Sequence, residues 1–242
     1  MKRSLFVAIG AAAALTGCSR VTNGLNENET VRRILGSAES LNHAVIGTHG
    51  LAKTYRDSDI DHEFRMNGFD TPSDARYQGL VRDRYAGYKL VVDGAVDRPQ
   101  AFSLAELRAL SSYNEVTRHD CVEGWSAIGK WSGVPLGKLL AMVRPASTAR
   151  YVIFRCFDHA PDGVPYYESL DLVQAAHPQT VLALTLNDKP LDPDHGAPVR
   201  LRVPTQLGYK SAKWVYHLEL AAALPGKGGY WEDQGYEWYA GI

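Results

Sequence analysis

Between Tyr88 and Val203 the chain changes its hydrophobic period repeatedly, without the regular strand and helix alternation that a doubly wound parallel sheet requires. Thr71-Pro72-Ser73-Asp74 reads as a helix start running to Leu80, and Ser103-Leu104-Ala105-Glu106 as a capping box opening a helix to Leu110. Tyr88 to Val92 reads as a strand that Asp93-Gly94 turns, and Val116 to Cys121 as a second short strand. A helix is entered through Pro135, and another is expected from Ser169, as its cap, to His177, where Pro178 stops it. Thr180 to Leu186 is apolar throughout, as in a strand buried on both faces. The pattern predicts an α+β fold of mixed β-sheets with short helices.

With 242 residues, 45% of them apolar, the chain has ample material for a core, in one large domain or two small ones. No repeat, low-complexity tract or long linker divides it. The formal net charge of -1 gives no overall attraction to nucleic acid or to acidic lipid. Nucleic acid is therefore not an expected partner.

Residues 1–18 read as an export signal. Lys2 and Arg3 form a basic start, Leu5 to Leu15 an apolar run too short to span a bilayer, and Leu15-Thr16-Gly17-Cys18 a lipobox. Cleavage before Cys18 and lipidation on it are expected, giving a periplasmic protein held to the cell envelope by lipid alone. Lys2-Arg3-Ser4-Leu5-Phe6 resembles a twin-arginine signal with lysine in the first place. Residues 19–60 read as a polar tether followed by an amphipathic helix over Val31 to Val45, and residues 61–242 as the working domain.

Two cysteines remain, Cys121 and Cys156, and in an oxidising compartment they could pair. The chain has neither the C-x-x-C-H motif of covalent haem nor a C-x-x-C pair for zinc or an iron–sulfur cluster. Cys121 ends its strand, with Thr117 and His119 on its side of the pleat and Glu123, Gly124 and Trp125 immediately after. A thiol at such a corner can be a packed small hydrophobe, a ligand for a soft or high-valent metal, or a nucleophile if a base lies close. Tyr151 to Phe157 alternates so that Val152, Phe154 and Cys156 share one face. In Val199 to Val203, Arg200 and Arg202 lie opposite Val199, Leu201 and Val203, with Lys210, Ser211 and Lys213 following beyond the Gly208 turn. Such a cluster is either a solvated basic edge or an anion site.

The segment from Leu90 to Leu140, with LVVDGAVDRPQAFSLAELRAL, DCVEGWS and WSGVPLGKLL, resembles the molybdopterin-binding domain of the sulfite oxidase superfamily. DHGAPVRLRVPTQLGYKSAKWVYHLEL, from Asp194 to Leu220, resembles that family's pterin-phosphate region, and FRMNG, from Phe64 to Gly68, a third block. The resemblance implies the sulfite-oxidase-type fold and a cofactor of molybdenum and molybdopterin, with Cys121 as the protein's bond to the metal. That role argues against a disulfide. It further implies His195, Arg200, Lys210, Ser211 and Lys213 around the terminal phosphate, Arg65 and Asn67 as cofactor contacts, and Cys156 near the metal. The aromatic terminal segment GGYWEDQGYEWYAGI is expected to pack.

The function so implied is oxygen-atom transfer on a small or protein-borne sulfur substrate, with electrons exchanged through a haem-bearing partner. The family commonly adds an Ig-like dimerisation domain, for which the sequence to Ile242 leaves no room, so a monomer is expected. An anionic substrate would want a nearby cation, with Arg118 and Arg155 as candidates. From a different class, the alternative is a lipid-anchored pterin-binding protein without redox turnover.

Overall fold

The computed structural model describes residues 50–66 and 68–242. The lipobox with Cys18, the tether, the helix over Val31 to Val45 and the candidate Asn67 lie outside the described residues. Among the described residues, ten strands form two sheets. In the first, β1 (Lys89–Gly94), β2 (Gln100–Ser103), β5 (Tyr151–His159), β6 (Pro165–Asp171) and β10 (Val215–Ala221) take the order β2-β1-β10-β5-β6. The second holds β3 (Tyr113–Asp120), β4 (Ser126–Pro135), β7 (Val181–Leu186) and β8 (Lys189–Pro190) in that order, with β9 (Arg200–Arg202) paired to β7. Only β1 and β10 run parallel among these pairs; the others are antiparallel. The helices are short: α1 (Ala75–Arg82), α2 (Leu104–Leu110), α3 (Leu136–Val143), α4 (Leu172–Ala175) and α5 (Tyr230–Asp233).

The main core lies where β1, β5 and β10 meet α2 and α3. Leu90, Val92, Phe154 and Leu218 pack there with Leu107, Leu136 and Leu139, all fully buried. β7 is buried on both faces, as its unbroken apolar run implies. Leu182 and Leu184 enter the main core, whereas Val181 and Ala183 join a second cluster with Phe64, Tyr113 and Trp131. The Ser103 capping box forms as written, Ser103 Oγ accepting from the Glu106 amide while the Glu106 carboxylate accepts from the Ser103 amide.

Three local expectations need correction. Asp74, not Thr71, caps α1, its carboxylate accepting from the Tyr77 amide at 3.0 Å. Ser169 is a buried residue of β6, and α4 begins only after Asp171, which accepts from the Gln174 amide. The serine is drawn into the strand because Ile153 pairs with it across β5. The domain's contacts also begin before residue 61. Ala52 exchanges hydrogen bonds with the Gln179 side chain, and Thr54 forms a bridge with Thr117 of β3.

The strand β5 loses its regular pairing where it approaches the site. Arg155 still pairs with Tyr167, but the next registered pair with β6 is His159 and Pro165, and on the β10 side the register shifts between Val215 and His217. Irregularities of this kind re-aim side chains. Residues 156–158 fall within it.

Candidate active site

Cys121 sits one residue beyond the end of β3, in a turn closed by the Gly124 amide donating to the Cys121 carbonyl at 3.0 Å. Gly124 takes φ of +86°, which a side chain would resist, and so the chain can reverse immediately after the thiol. Thr117 and His119, on the same side of the pleat, are fully buried, and Cys121 is 8% exposed. Burial pushes the Cys121 thiol up, the Glu123 backbone N–H opposes this, the Glu123 carboxylate adds to it, and Arg65 and Arg200 oppose it further. The turn is braced by the Trp125 indole donating to the Glu123 carboxylate at 2.9 Å, with the Arg65 guanidinium 5.3 Å from the indole ring. His119 is held neutral, its proton affinity lowered well below the usual range by burial and by the two nearby arginines. Gly208 packs directly on that imidazole, in a place where no side chain would fit.

The thiol lines a narrow cavity of about 60 Å³ together with Asp158, Tyr166, Ser211, Lys213 and Trp231. The cavity shares Gly68, Phe69 and Asp158 with a wider cleft of about 530 Å³ between residues 68–74 and 157–161. Behind it is a group of buried cations. Arg200 and Arg202 project from the same face of β9, as the alternation of Val199 to Val203 implies, yet neither is exposed at all. Their guanidinium groups lie 5.3 and 5.4 Å from the Trp131 ring. Burial pulls Arg200 down to about 9, with Arg202 adding to the effect, and pulls Arg202 down to about 10. Arg202 donates to the Arg118 carbonyl at 2.6 Å, while its Nε and Nη1 face no acceptor.

Lys213 donates to the Phe69 carbonyl at 2.8 Å and lies 4.0 Å from the Trp214 ring. Burial, then Arg200, pulls it down to about 7. Buried positive charge of this kind is costly unless an anion accompanies it. The donor set therefore fits a phosphate at one end of the site and a soft metal on Cys121 at the other.

Of the residues singled out in the sequence, Cys121, Ser211 and Lys213 line the cavity, and Arg200, buried behind it, and Arg65, over Trp125, act on the thiol by charge. His195 stands beside them, its Nε2 at 2.8 Å from the Phe64 carbonyl and its Nδ1 at 2.8 Å from Asp192, while its own carbonyl accepts from Arg200 at 3.4 Å. Two do not belong to the cavity. Lys210 is wholly buried and bonded to the carboxylates of Glu168 and Glu232, the latter at 2.6 Å, because the helical turn over Gly208–Lys210 points its side chain away from the cavity and into the core. Cys156 is packed among core apolar residues and does not line the cavity; burial keeps its thiol protonated. Nor are the cations considered for an anionic substrate at hand: Arg118 pairs with Asp120 at 2.8 Å and Arg155 with Glu219 at 2.9 Å. Asp158 and Tyr166 are additions that the sequence reading misses, whereas Arg202 belongs to the basic cluster that it includes. Asp158 lies past the point where the pairing of β5 with β6 becomes irregular, so the alternation that places Cys156 does not carry through to it.

Residues 78–231 match the family model for the oxidoreductase molybdopterin binding domain. A putative protein-methionine-sulfoxide reductase subunit, YedZ1 of Azospira oryzae, is 39% identical over 237 residues, covering 96% of this chain and 84% of that protein. The protein-methionine-sulfoxide reductase catalytic subunit MsrP of Xanthomonas campestris pv. campestris is 38% identical over 148 residues, 57% of this chain. The match spans 46% of that MsrP's length. Among solved structures, the sulfane dehydrogenase SoxCD of Paracoccus pantotrophus aligns with a TM-score of 0.51 at 22% identity, over 57% of this chain and 39% of that one. This shows a shared fold. A cavity that joins a thiol to buried cations, on a chain matched by this family model through most of its length, places the protein among the molybdopterin-binding oxidoreductases of the sulfite oxidase family, in the branch that includes MsrP.

Proposed function

We propose that the protein is the catalytic subunit of a protein-methionine-sulfoxide reductase at the cell envelope. The observation that carries this reading is the mouth of the Cys121 cavity. Glu123, carrying a carboxylate, and Val122, 46% exposed, stand beside the thiol, while Arg118 and Arg155 are engaged elsewhere. A dianion such as sulfite would meet a like charge there, offset in part by Arg65, which lies over Trp125 beside the thiol. A neutral sulfoxide would not. Val122 and Tyr209 continue into an open groove of about 500 Å³ with Tyr236 and Tyr239, which suits a side chain carried on a larger molecule. The names of the relatives support the same substrate class.

Molybdopterin, when bound, supplies two-electron oxygen-atom transfer at the metal. In this chain Cys121 would hold the metal, and Arg200, Ser211 and Lys213 the terminal phosphate. Trp231 and Phe69 line the same cavity with apolar rings. Reduction of a sulfoxide to a sulfide and water consumes two electrons and two protons, so an electron donor is required, for which a haem-bearing partner is the proposed source. The test is turnover of a methionine-sulfoxide peptide with a reduced dye as donor, set against sulfite oxidation with an artificial acceptor. Sulfoxide reduction is expected to dominate; faster sulfite oxidation would overturn the reading.

Arg200→Lys should not behave as a conservative change. Lysine keeps a charge but lacks the planar fork, and loss of a charge-assisted hydrogen bond costs about 1.5–3 kcal/mol, or about tenfold to hundredfold in retention of the pterin. Pterin and molybdenum per chain, measured beside a melting curve, check this; unchanged occupancy would count against a phosphate at this site.

Envelope attachment rests on the lipobox. Mature protein should carry lipid on Cys18 and sediment with membranes, and Cys18→Ser should release it to the soluble fraction. An intact segment from Met1 to Cys18 in the mature protein, seen by mass spectrometry, would rule this out.

A further inference from the structure

We propose that the groove beside Cys121 reads the polypeptide on either side of the methionine sulfoxide, and that Tyr236 is the residue that selects an apolar neighbour in the substrate chain. The inference rests on the sulfoxide-reductase reading of the site and adds to it where substrates are told apart. The cavity that Cys121 lines is only about 60 Å³, so a sulfoxide group can enter it but the chain that carries the group cannot follow. The groove, at about 500 Å³, falls within the range of about 300–1,000 Å³ that accommodates a ligand of many atoms. Val122 and Tyr209 line both spaces, so a chain lying in the groove has its reactive side chain next to the thiol.

The groove is built before any substrate arrives. The Tyr209 hydroxyl donates to the Glu237 carbonyl at 2.8 Å, and the Leu207 amide donates to the Ala240 carbonyl at 2.8 Å, so the segment after β9 and the end of the chain are tied together along the floor. Tyr209, Tyr239 and Ala240 are buried there, whereas Val122 and Tyr236 stand on the rim, Tyr236 being 40% exposed. Gly235, at φ of +102°, ends α5, and the Tyr236 amide then donates to the Trp231 carbonyl at 3.0 Å. That turn sets the Tyr236 ring between two others, 5.3 Å from Trp231 and 5.5 Å from Tyr209, both of which line the thiol cavity.

A ring held in this way keeps an open face without losing freedom when something packs on it, which is the character of an anchor residue in an interface. The occupant that fits is an extended stretch of polypeptide. The lining is mostly apolar and aromatic, and it includes no lysine or arginine. An apolar neighbour of the sulfoxide is thus covered, while an acidic one is taken from water without a counter-charge.

The experiment measures kcat/KM of the holoprotein, with a reduced dye as donor, for dimethyl sulfoxide and for two short peptides whose methionine sulfoxide is flanked by Leu or by Asp. Wild type should favour the Leu peptide over the Asp peptide about tenfold. In Tyr236→Ala the ratio of Leu peptide to dimethyl sulfoxide should fall about tenfold, mainly through KM, and the preference between peptides should collapse; Tyr236→Phe should restore both. Wild-type ratios in Tyr236→Ala would overturn the proposal. So would unchanged ratios with weaker saturation by a haem donor, which would give the groove to the electron partner. If Tyr236→Ala does not fold, Val122→Ser is the second variant, expected to lower the same ratio, and no change in it overturns the proposal. Wild type that reduces none of the three sulfoxides would defeat the reductase reading, whereas active wild type with unaffected variants would defeat only the role of the groove.

Discussion

Cys121→Ser is expected to give a folded protein without molybdenum and without turnover. Serine is close in volume but offers a hard oxygen where a soft thiolate is wanted. Changes to groups that merely support a metal's ligands already cost about 10–100-fold in affinity or activity, so loss of the direct ligand should exceed about 100-fold. The fold should be spared, because Cys121 lies just beyond β3 and its side chain faces the cavity instead of the core. A melting temperature within about 4 °C of cofactor-free wild type corresponds to a change near 1 kcal/mol for a chain of this size. Metal analysis, turnover and melting of the same preparation check all three points. Full metal content in the variant would remove Cys121 from the centre of the site.

Lys210→Met is expected to have the largest effect on stability. Lys210 lies between Glu168 of β6 and Glu232 of α5, all three essentially without solvent exposure. Removing the cation leaves two carboxyl groups together in the core. Breaking one buried pair costs about 3–5 kcal/mol, which at about 2–4 °C per kcal/mol lowers the melting temperature by about 6–20 °C. The sign of the pH dependence follows from Glu168. Burial holds its carboxyl well above the usual range and Glu232 adds to this, while Lys210 opposes it. A folded-state value raised above the unfolded one stabilises at low pH and is lost as pH rises through the folded value. Without Lys210 the carboxyl should rise further, and the variant's deficit should be smaller at about pH 5 than at about pH 8.5. A deficit independent of pH would show that packing, not charge, is what Lys210 provides. The triple change Lys210→Met, Glu168→Gln and Glu232→Gln should recover much of the loss.

These two lysine and cysteine positions also mark how far the sequence could be read. The phase of β3 was legible because a period of two needs no tertiary information once its start is placed, so Thr117, His119 and Cys121 fall together. The Ser103 capping box was legible for the same reason: its partners lie within one helical turn. Lys210 was not, since its neighbours in sequence, Ser211 and Lys213, do line the cavity, and only a buried acid pair from β6 and α5 separates it from them. Cys156 stands on the face the alternation assigns, but that face enters the core. Asp158 lies beyond it, past an irregularity in pairing that no local pattern announces. The charge of Arg200 and Arg202 was plain, whereas their burial depends on Trp131 and the packing around β7.

The strand order of the first sheet has a consequence for how the protein is made. β10 lies between β1 and β5, and it follows every other strand among the described residues. Val92 pairs with Leu218 across that long separation, and loop closure over such distances slows folding. While the polypeptide emerges from its N-terminus, β1 and β5 must wait with their facing edges unfilled, open to pairing with other chains. Ser211 and Lys213, which line the Cys121 cavity, arrive just ahead of the same late strand. Assembly of the cavity and closure of the sheet are thus nearly one event, and loading of the cofactor belongs after synthesis, on a chain whose sheet has already closed.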